Sequence, residues 1–234
     1  MTATRSVRVW RAVAITLIVL IVLFVAADRI GDYLAEKQAA KTIQSSQNLP
    51  SRPSVDIAGF PFLTQLAAEH FDKITITAKD VPVGPSGHLL QLATLQVVLH
   101  SIDVSRNFHR VHADNATATA TASYAALSQA LGLTVRYAGN GRIAASKDVT
   151  VAGQTVPARV STRPELANGA VTFTGTTVDN LGQLGGSAGS GLDGLFAINL
   201  PLQNVPFHVR ATGLQVDASG VHLDLAGSDL VYGH

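Results

Sequence analysis

Apolar residues are distributed along this chain in three successive patterns. The first is unbroken: from Ala12 to Ala27 the run carries no charge, and Arg5, Arg8 and Arg11 precede it. As a helix it spans roughly 24 Å, and Val9, Trp10 and snorkelling of Arg11 and Arg29 bring it to the roughly 30 Å of a hydrocarbon layer. This predicts a transmembrane anchor with a cytoplasmic N-terminus and everything after it exported. Val25-Ala26-Ala27 is also an acceptable signal-peptide cleavage site, with the cut after Ala27. On either reading the working part of the protein lies outside the cytoplasm, on the periplasmic or cell-wall side.

The second pattern, Asp28 to about Ser45, is helical. Asp28, Asp32 and Glu36 come early and Lys37 and Lys41 late, as the helix dipole favours. Ile30, Tyr33, Leu34 and Ile43 make only a patchy stripe, which suggests a stalk. Asn48-Leu49-Pro50-Ser51-Arg52-Pro53 then breaks the helix. The expected division is therefore 1–29 as basic flank and membrane segment, 30–53 as stalk and linker, and 54–234 as the body.

The third pattern has a period of two. Ser54–Ile57 is a short strand turning at Gly59, after which Phe62, Leu63, Leu66, Ala67 and His70/Phe71 follow helical spacing over two turns. Lys73–Lys79 alternates cleanly, and Asp80–Pro85 reads as a turn. Leu89–Val104 makes a long strand whose apolar positions change phase, which a bulge or two covered faces would explain. Ala116, Ala118, Ala120 and Ala122 alternate with polar residues, so something bulky, or a lumen, should face them. Ser123 caps a helix over Tyr124–Leu131. Turns at Gly139-Asn140-Gly141, Ala152-Gly153-Gln154 and Ala167-Asn168-Gly169 separate further strands. The last hairpin kinks at Gly213 and turns at Ala218-Ser219-Gly220. The fold class is α+β: an antiparallel, strand-rich body with a few helices.

Composition narrows the chemistry. Nearly half the residues are apolar, enough for a sizeable core. Three of the 17 basic residues sit before residue 12, and all 16 acidic ones lie from Asp28 onward. The body thus has no basic run to meet nucleic acid. The absence of cysteine excludes disulfides, thiol catalysis, thiolate metal sites and a lipobox-type anchor.

Candidate catalytic patterns are weak. Gly185-Gly186-Ser187-Ala188-Gly189 matches a nucleophile elbow around Ser187, with Asp193 or Asp217 and His208 or His222 following. No strong strand precedes it, however. Gly189–Gly194 matches a dinucleotide fingerprint without a βαβ unit around it. The whole Gly182–Gly194 run reads as a loop, and as a lid over a cavity if there is one. His109 and His112 beside Asp114 would be metal ligands only against the opposing charge of Arg106 and Arg110. The stretch reads as a solvated loop, with contact to a phosphate headgroup or membrane surface as the alternative for that arginine pair. No metal and no cofactor is expected. Asn115-Ala116-Thr117 is a glycosylation sequon by pattern only. Phe60 and Phe62, bracketing Pro61, are core anchors or the aromatic rim of an apolar pocket.

Several stretches together resemble a known family. They are Gly59-Phe60-Pro61-Phe62-Leu63-Thr64 with Lys73–Val81 behind it, Ser123-Tyr124-Ala125-Ala126-Leu127, and Val205-Pro206-Phe207 leading through Thr212-Gly213-Leu214 to Ser219-Gly220-Val221. The chain resembles, over about residues 30–231, the LmeA-like phospholipid-binding proteins of actinobacterial cell envelopes. His208 stands where that pattern leads one to expect a smaller residue, often glycine. The resemblance implies a tubular lipid-binding-like fold, a strongly twisted antiparallel sheet wrapped around helix and enclosing an apolar groove. It also implies phospholipid binding without a catalytic residue set, in envelope lipid or lipomannan-type glycolipid biogenesis or lipid transfer. The acyl chains would lie among Phe60, Phe62, Leu63, Leu66, Ile74, Ile76, Leu95, Val97, Phe207 and Val209, with Arg106 or Arg110 at the headgroup. The alternatives are an envelope scaffold with a packed interior and, more distantly, a serine hydrolase using Ser187. Nothing in the sequence identifies protein partners.

Overall fold

The computed structural model describes residues 3–84, 89–105, 110–151, 154–167, 169–178, 200–201 and 205–232. The Gly182–Gly194 run, Ser187, Asp193, Arg106 and His109 lie outside them.

One helix, α1 (Ala3–Ser46), runs through the expected membrane segment and the stalk that continues from it. It is long and apolar enough to cross a membrane, and no part of its most apolar stretch is buried by the protein. The second half is packed: Asp28, Asp32 and Ala40 are buried, as is Leu49 just past its end, with Ala35, Ala39 and Ile43 against the core. The patchy stripe read from Ile30 and Leu34 points the wrong way, because both are exposed. The packed face is made of alanines, which let backbone approach closely, and of acids that the dipole pattern had accounted for otherwise.

The strands β1 (Ser54–Ala58), β2 (His70–Val83), β3 (Leu90–Val104), β4 (Val111–Ala122), β5 (Thr134–Gly139), β6 (Arg142–Val151), β7 (Gln154–Ala167), β8 (Ala170–Val178), β9 (Leu200–Pro201), β10 (Arg210–Asp217) and β11 (Gly220–Tyr232) pair antiparallel throughout. They form two sheets, one of six strands in the order β1-β2-β3-β4-β11-β10 and one of five in the order β5-β6-β7-β8-β9. Helix α2 (Phe62–Ala68) ends at Glu69, whose left-handed backbone turns the chain into β2. His70 and Phe71 therefore start a strand, not a helical turn. Helix α3 (Tyr124–Leu131) is capped by Ser123, whose hydroxyl accepts the amide of Ala126 at 3.1 Å.

The expected turn at Asp80–Pro85 begins later, since β2 continues through Pro82 to Val83. Proline is tolerated there because β1 pairs only with Lys73–Thr77, so that β2 is an edge strand at Pro82.

The phase change in β3 is neither an inserted residue nor a doubly covered strand. Asp72, Ser101, Asp114 and Asp229 stand in one row across β2, β3, β4 and β11, and the register is the same on both sides of it. Buried positions step by three across that row, from Leu99 to Ile102 and from Ala113 to Ala116. Ser101 (φ 50°) and Asp229 (φ 55°) take left-handed backbone there. The sheet is creased as a unit. A second crease at Asp80 (φ 54°) opposite Ala93 carries burial from Ala78 to Val81 and from Leu92 to Leu95.

Curling brings both edges of the large sheet to α1. The Ile57 amide at the β1 edge donates to Glu36 Oε1 at 3.0 Å, and the Phe207 amide, at the approach to β10, donates to Gln47 Oε1 at 3.1 Å. The sheet is wrapped on helix, as the twisted-sheet fold class requires.

Candidate functional site

The site is built at the corner where α1 meets α2. Pro61, the N-cap residue of α2, has no side-chain oxygen, so the first amides of this helix lack a local acceptor. Asp28 supplies one from α1: its Oδ1 accepts the Leu63 amide at 2.8 Å, with the side chain fully buried. Gly31 faces α2 here, and a Cβ there would stand in ordinary contact, 3.5 Å from Leu63 Cδ2 and 3.6 Å from the Phe62 ring. Gln65 braces the corner by donating to the Ala58 carbonyl at 3.2 Å and accepting the Asp72 amide at 3.3 Å.

Arg29 faces Asp28 at 3.7 Å and Asp32 at 3.4 Å, and its guanidinium lies 4.9 Å from the centre of the Phe60 ring. Asp28 Oδ2 and Asp32 Oδ1 are buried without a hydrogen-bond partner. Burial pushes the Asp32 carboxyl above the ordinary range, opposed by the charge of Arg29.

The ten apolar residues expected at the site divide by exposure. Phe62, Ile76, Leu95, Val97, Phe207 and Val209 belong to one buried cluster, with the Phe62 and Phe71 rings 6.0 Å apart. Leu63, Leu66 and Ile74 are half-buried and pack against that cluster. Phe60 stands 58% exposed at the rim. The set therefore grades from exposed at Phe60, through half-buried on α2 and at Ile74, to a filled interior. Arg110 is exposed at the end of the sheet that carries α2: Ser105 accepts and donates hydrogen bonds with its backbone, and neighbouring Val104 bonds the carbonyl of Glu69, the C-cap of α2.

Phe207 (φ 66°) and His208 (φ 55°) are consecutive left-handed residues. That conformation favours glycine, which is the physical reason a smaller residue suits position 208. Here the histidine ring is held 5.7 Å from Tyr232, whose hydroxyl donates to the Phe207 carbonyl at 2.7 Å and whose pKa burial raises to about 12.

On the outer face near the first crease, His70 Nδ1 meets Asp103 at 2.7 Å and His112 Nε2 meets Asp229 at 2.8 Å. Both imidazoles are raised above the ordinary histidine range, chiefly by those hydrogen bonds, with further charge from Asp72 and Asp114. Among the described residues no group of three or more histidines and acids is placed to hold a metal ion.

Asp217, Ser219 and His222 do come together at the β10–β11 turn, but not as a catalytic triad. The Ser219 hydroxyl donates to Asp217 at 2.6 Å, and serine and aspartate both approach the same nitrogen, His222 Nε2, at 3.0 and 3.2 Å. A triad needs the acid on Nδ1, where Thr121 lies instead at 3.3 Å. Asp217 also accepts the Ser219 and Gly220 amides; the Ser219 hydroxyl, then the Ser219 amide and the His222 ring, hold its carboxyl at about 2.

Sequence reasoning missed Asp28, Glu36 and Gln47 as tertiary partners of the corner and of the sheet edges. It also missed an open cleft of about 570 Å³ where the two sheets meet, lined by Gly141, Arg163–Leu166 and Leu214–Val216. The sequence carried no signal for the first, because an acid or amide that accepts a distant backbone N–H reads in the sequence as a surface residue.

Comparison with known proteins identifies a family. A family model described as LmeA-like phospholipid-binding matches residues 26–226. No curated protein and no solved structure matches the chain.

Proposed function

This chain belongs to the LmeA-like phospholipid-binding family, and on that premise we propose that it is a membrane-anchored, non-catalytic protein that holds phospholipid acyl chains outside the cytoplasm. The anchor is the apolar half of α1, and the body faces the periplasmic or cell-wall side because arginines precede the run. The acyl chains lie between α2 and the concave face of the large sheet, entering past Leu63, Leu66 and Ile74. Each buried methylene contributes about 0.8 kcal/mol, so a long chain is held without polar recognition. The cellular role is envelope lipid or glycolipid biogenesis, or lipid transfer. The observation that carries the reading is the family match over residues 26–226, joined to an apolar set that grades from exposed at Phe60 to buried at Leu95 and Val97.

The test is native mass spectrometry of the full-length chain purified from its own envelope, followed by extraction and identification of retained lipid. A stoichiometric phospholipid, displaced by added phospholipid and reduced in a folded Leu66→Asp variant, is the expected result. A folded protein that carries no phospholipid and takes up none refutes the reading.

The tight burial of six of the ten residues favours a second reading, a scaffold whose packed interior serves an envelope partner. On that reading the same experiment returns an empty protein, and Leu66→Asp changes nothing in lipid content.

A further inference from the structure

We propose that the Phe60–Pro61 corner and the first turn of α2 lie in the headgroup layer of the bilayer that α1 crosses, so that the body sits directly on the membrane and its apolar rim opens onto lipid. The proposal rests on the anchor and lipid-binding readings above and adds where the lipid enters.

Three independent features place the corner there. The first is depth. Arg11 and Arg29 bracket the apolar run, and at about 1.5 Å per residue their separation matches the roughly 30 Å hydrocarbon layer. With Arg11 at one boundary, Arg29 stands at the other. The second is continuity. The helix does not break between bilayer and body, since Val25 is exposed and Asp28, three residues on, is buried against α2. No linker allows the body to rise from the surface, and the Asp28–Leu63 bond fixes α2 at the level of Arg29.

The third is chemistry. Phe60 is 58% exposed, whereas Phe62, Phe71 and Phe207 in the body are at most 5% exposed. One exposed aromatic ring is ordinary by itself. This one, however, is stacked under the single arginine that the helix delivers to the boundary. An aromatic ring beside a guanidinium matches the interfacial zone, where the ring meets the acyl boundary and the cation meets lipid phosphate. Arg29 keeps half of its side chain exposed while paired with Asp28 and Asp32, so it retains donors for a phosphate. Leu63 and Leu66, half-buried on α2 beside Phe60, would then face acyl chains without crossing water.

The chain has a single tryptophan, Trp10, which makes depth measurable. The full-length Trp10→Phe, Phe60→Trp variant would be reconstituted in phosphatidylglycerol–phosphatidylethanolamine vesicles containing lipid brominated either near the headgroup or near the chain ends. The expected result is blue-shifted emission that loses most of its intensity to the shallow bromines and much less to the deep ones. Emission like that of indole in water, unquenched by either lipid, overturns the proposal when the protein resists alkaline extraction. Protein stripped from the vesicles by alkali overturns the anchor reading and this proposal together. Retained phospholipid, measured separately on the parent chain, reports on the lipid-binding reading in either case.

Discussion

Asp28 occupies a position where two demands coincide: it ends the apolar run and caps a helix that cannot cap itself. A missing N-cap costs about 0.5–2 kcal/mol. We therefore expect Asp28→Ala to lose at least that much and Asp28→Asn, which keeps the accepting oxygen, to lose much less, as read from thermal unfolding in detergent. The histidine–aspartate pairs give a pH signature. His70 and His112 have folded values above 6.5, so the stability from these pairs is complete below that value and is lost as pH rises through the raised folded values. The unfolding midpoint should fall as pH rises above 6.5 through the raised folded values, and the combined Asp103→Asn, Asp229→Asn variant should flatten that slope. Asp217 works in the opposite sense: its contribution is present above the ordinary aspartate value and is lost as pH falls through about 2.

At the scale of elements, the creases decide the shape of the large sheet. A row with left-handed residues in two of its four strands inverts the pleat of all four together, so that one apolar lining continues around a bend. Ser101 at φ 50° carries part of that bend. Ser101→Val should cost more than about 1 kcal/mol, because a β-branched residue is disfavoured in that region, while Ser101→Gly should be tolerated. Thermal unfolding of the two variants side by side checks this. The alanine ladder of β4, the Ser123 cap of α3 and the β10–β11 hairpin were legible in the sequence because period, cap and turn are local codes. The creases were half legible. The phase change is visible in β3 alone, but its alignment with Asp72, Asp114 and Asp229 exists only in the paired sheet.

For the molecule as a whole, the second half of α1 is a wall of the body. Glu36 and Gln47 close the two sheet edges, and Ala40 and Leu49 lie in the core. A chain beginning at Asp28 should therefore fold, with the cap and both edge contacts intact. One beginning at Ser46 should expose the concave face and aggregate. Circular dichroism and size-exclusion chromatography of the two truncations decide it, and the outcome bears on cleavage after Ala27, which would leave the wall in place.

The sequence by itself determined what is written in local periodicity: one long apolar run after three arginines, alternating strands, two short helices, and the aromatic corner whose neighbours carry the family likeness. Helical spacing and strand alternation depend only on how side chains repeat along one segment, so they survive without a partner. Only the tertiary structure decided that the stalk is a wall, that the strands divide between two sheets, and that β2 runs past Pro82. It also decided which of the ten apolar residues are exposed or half-buried and which fill the interior. Those outcomes depend on contacts between residues far apart in the chain: Asp28 with Leu63, Glu36 with Ile57, Gln47 with Phe207. A buried acid reads in sequence as a surface charge until the amide it accepts is brought to it.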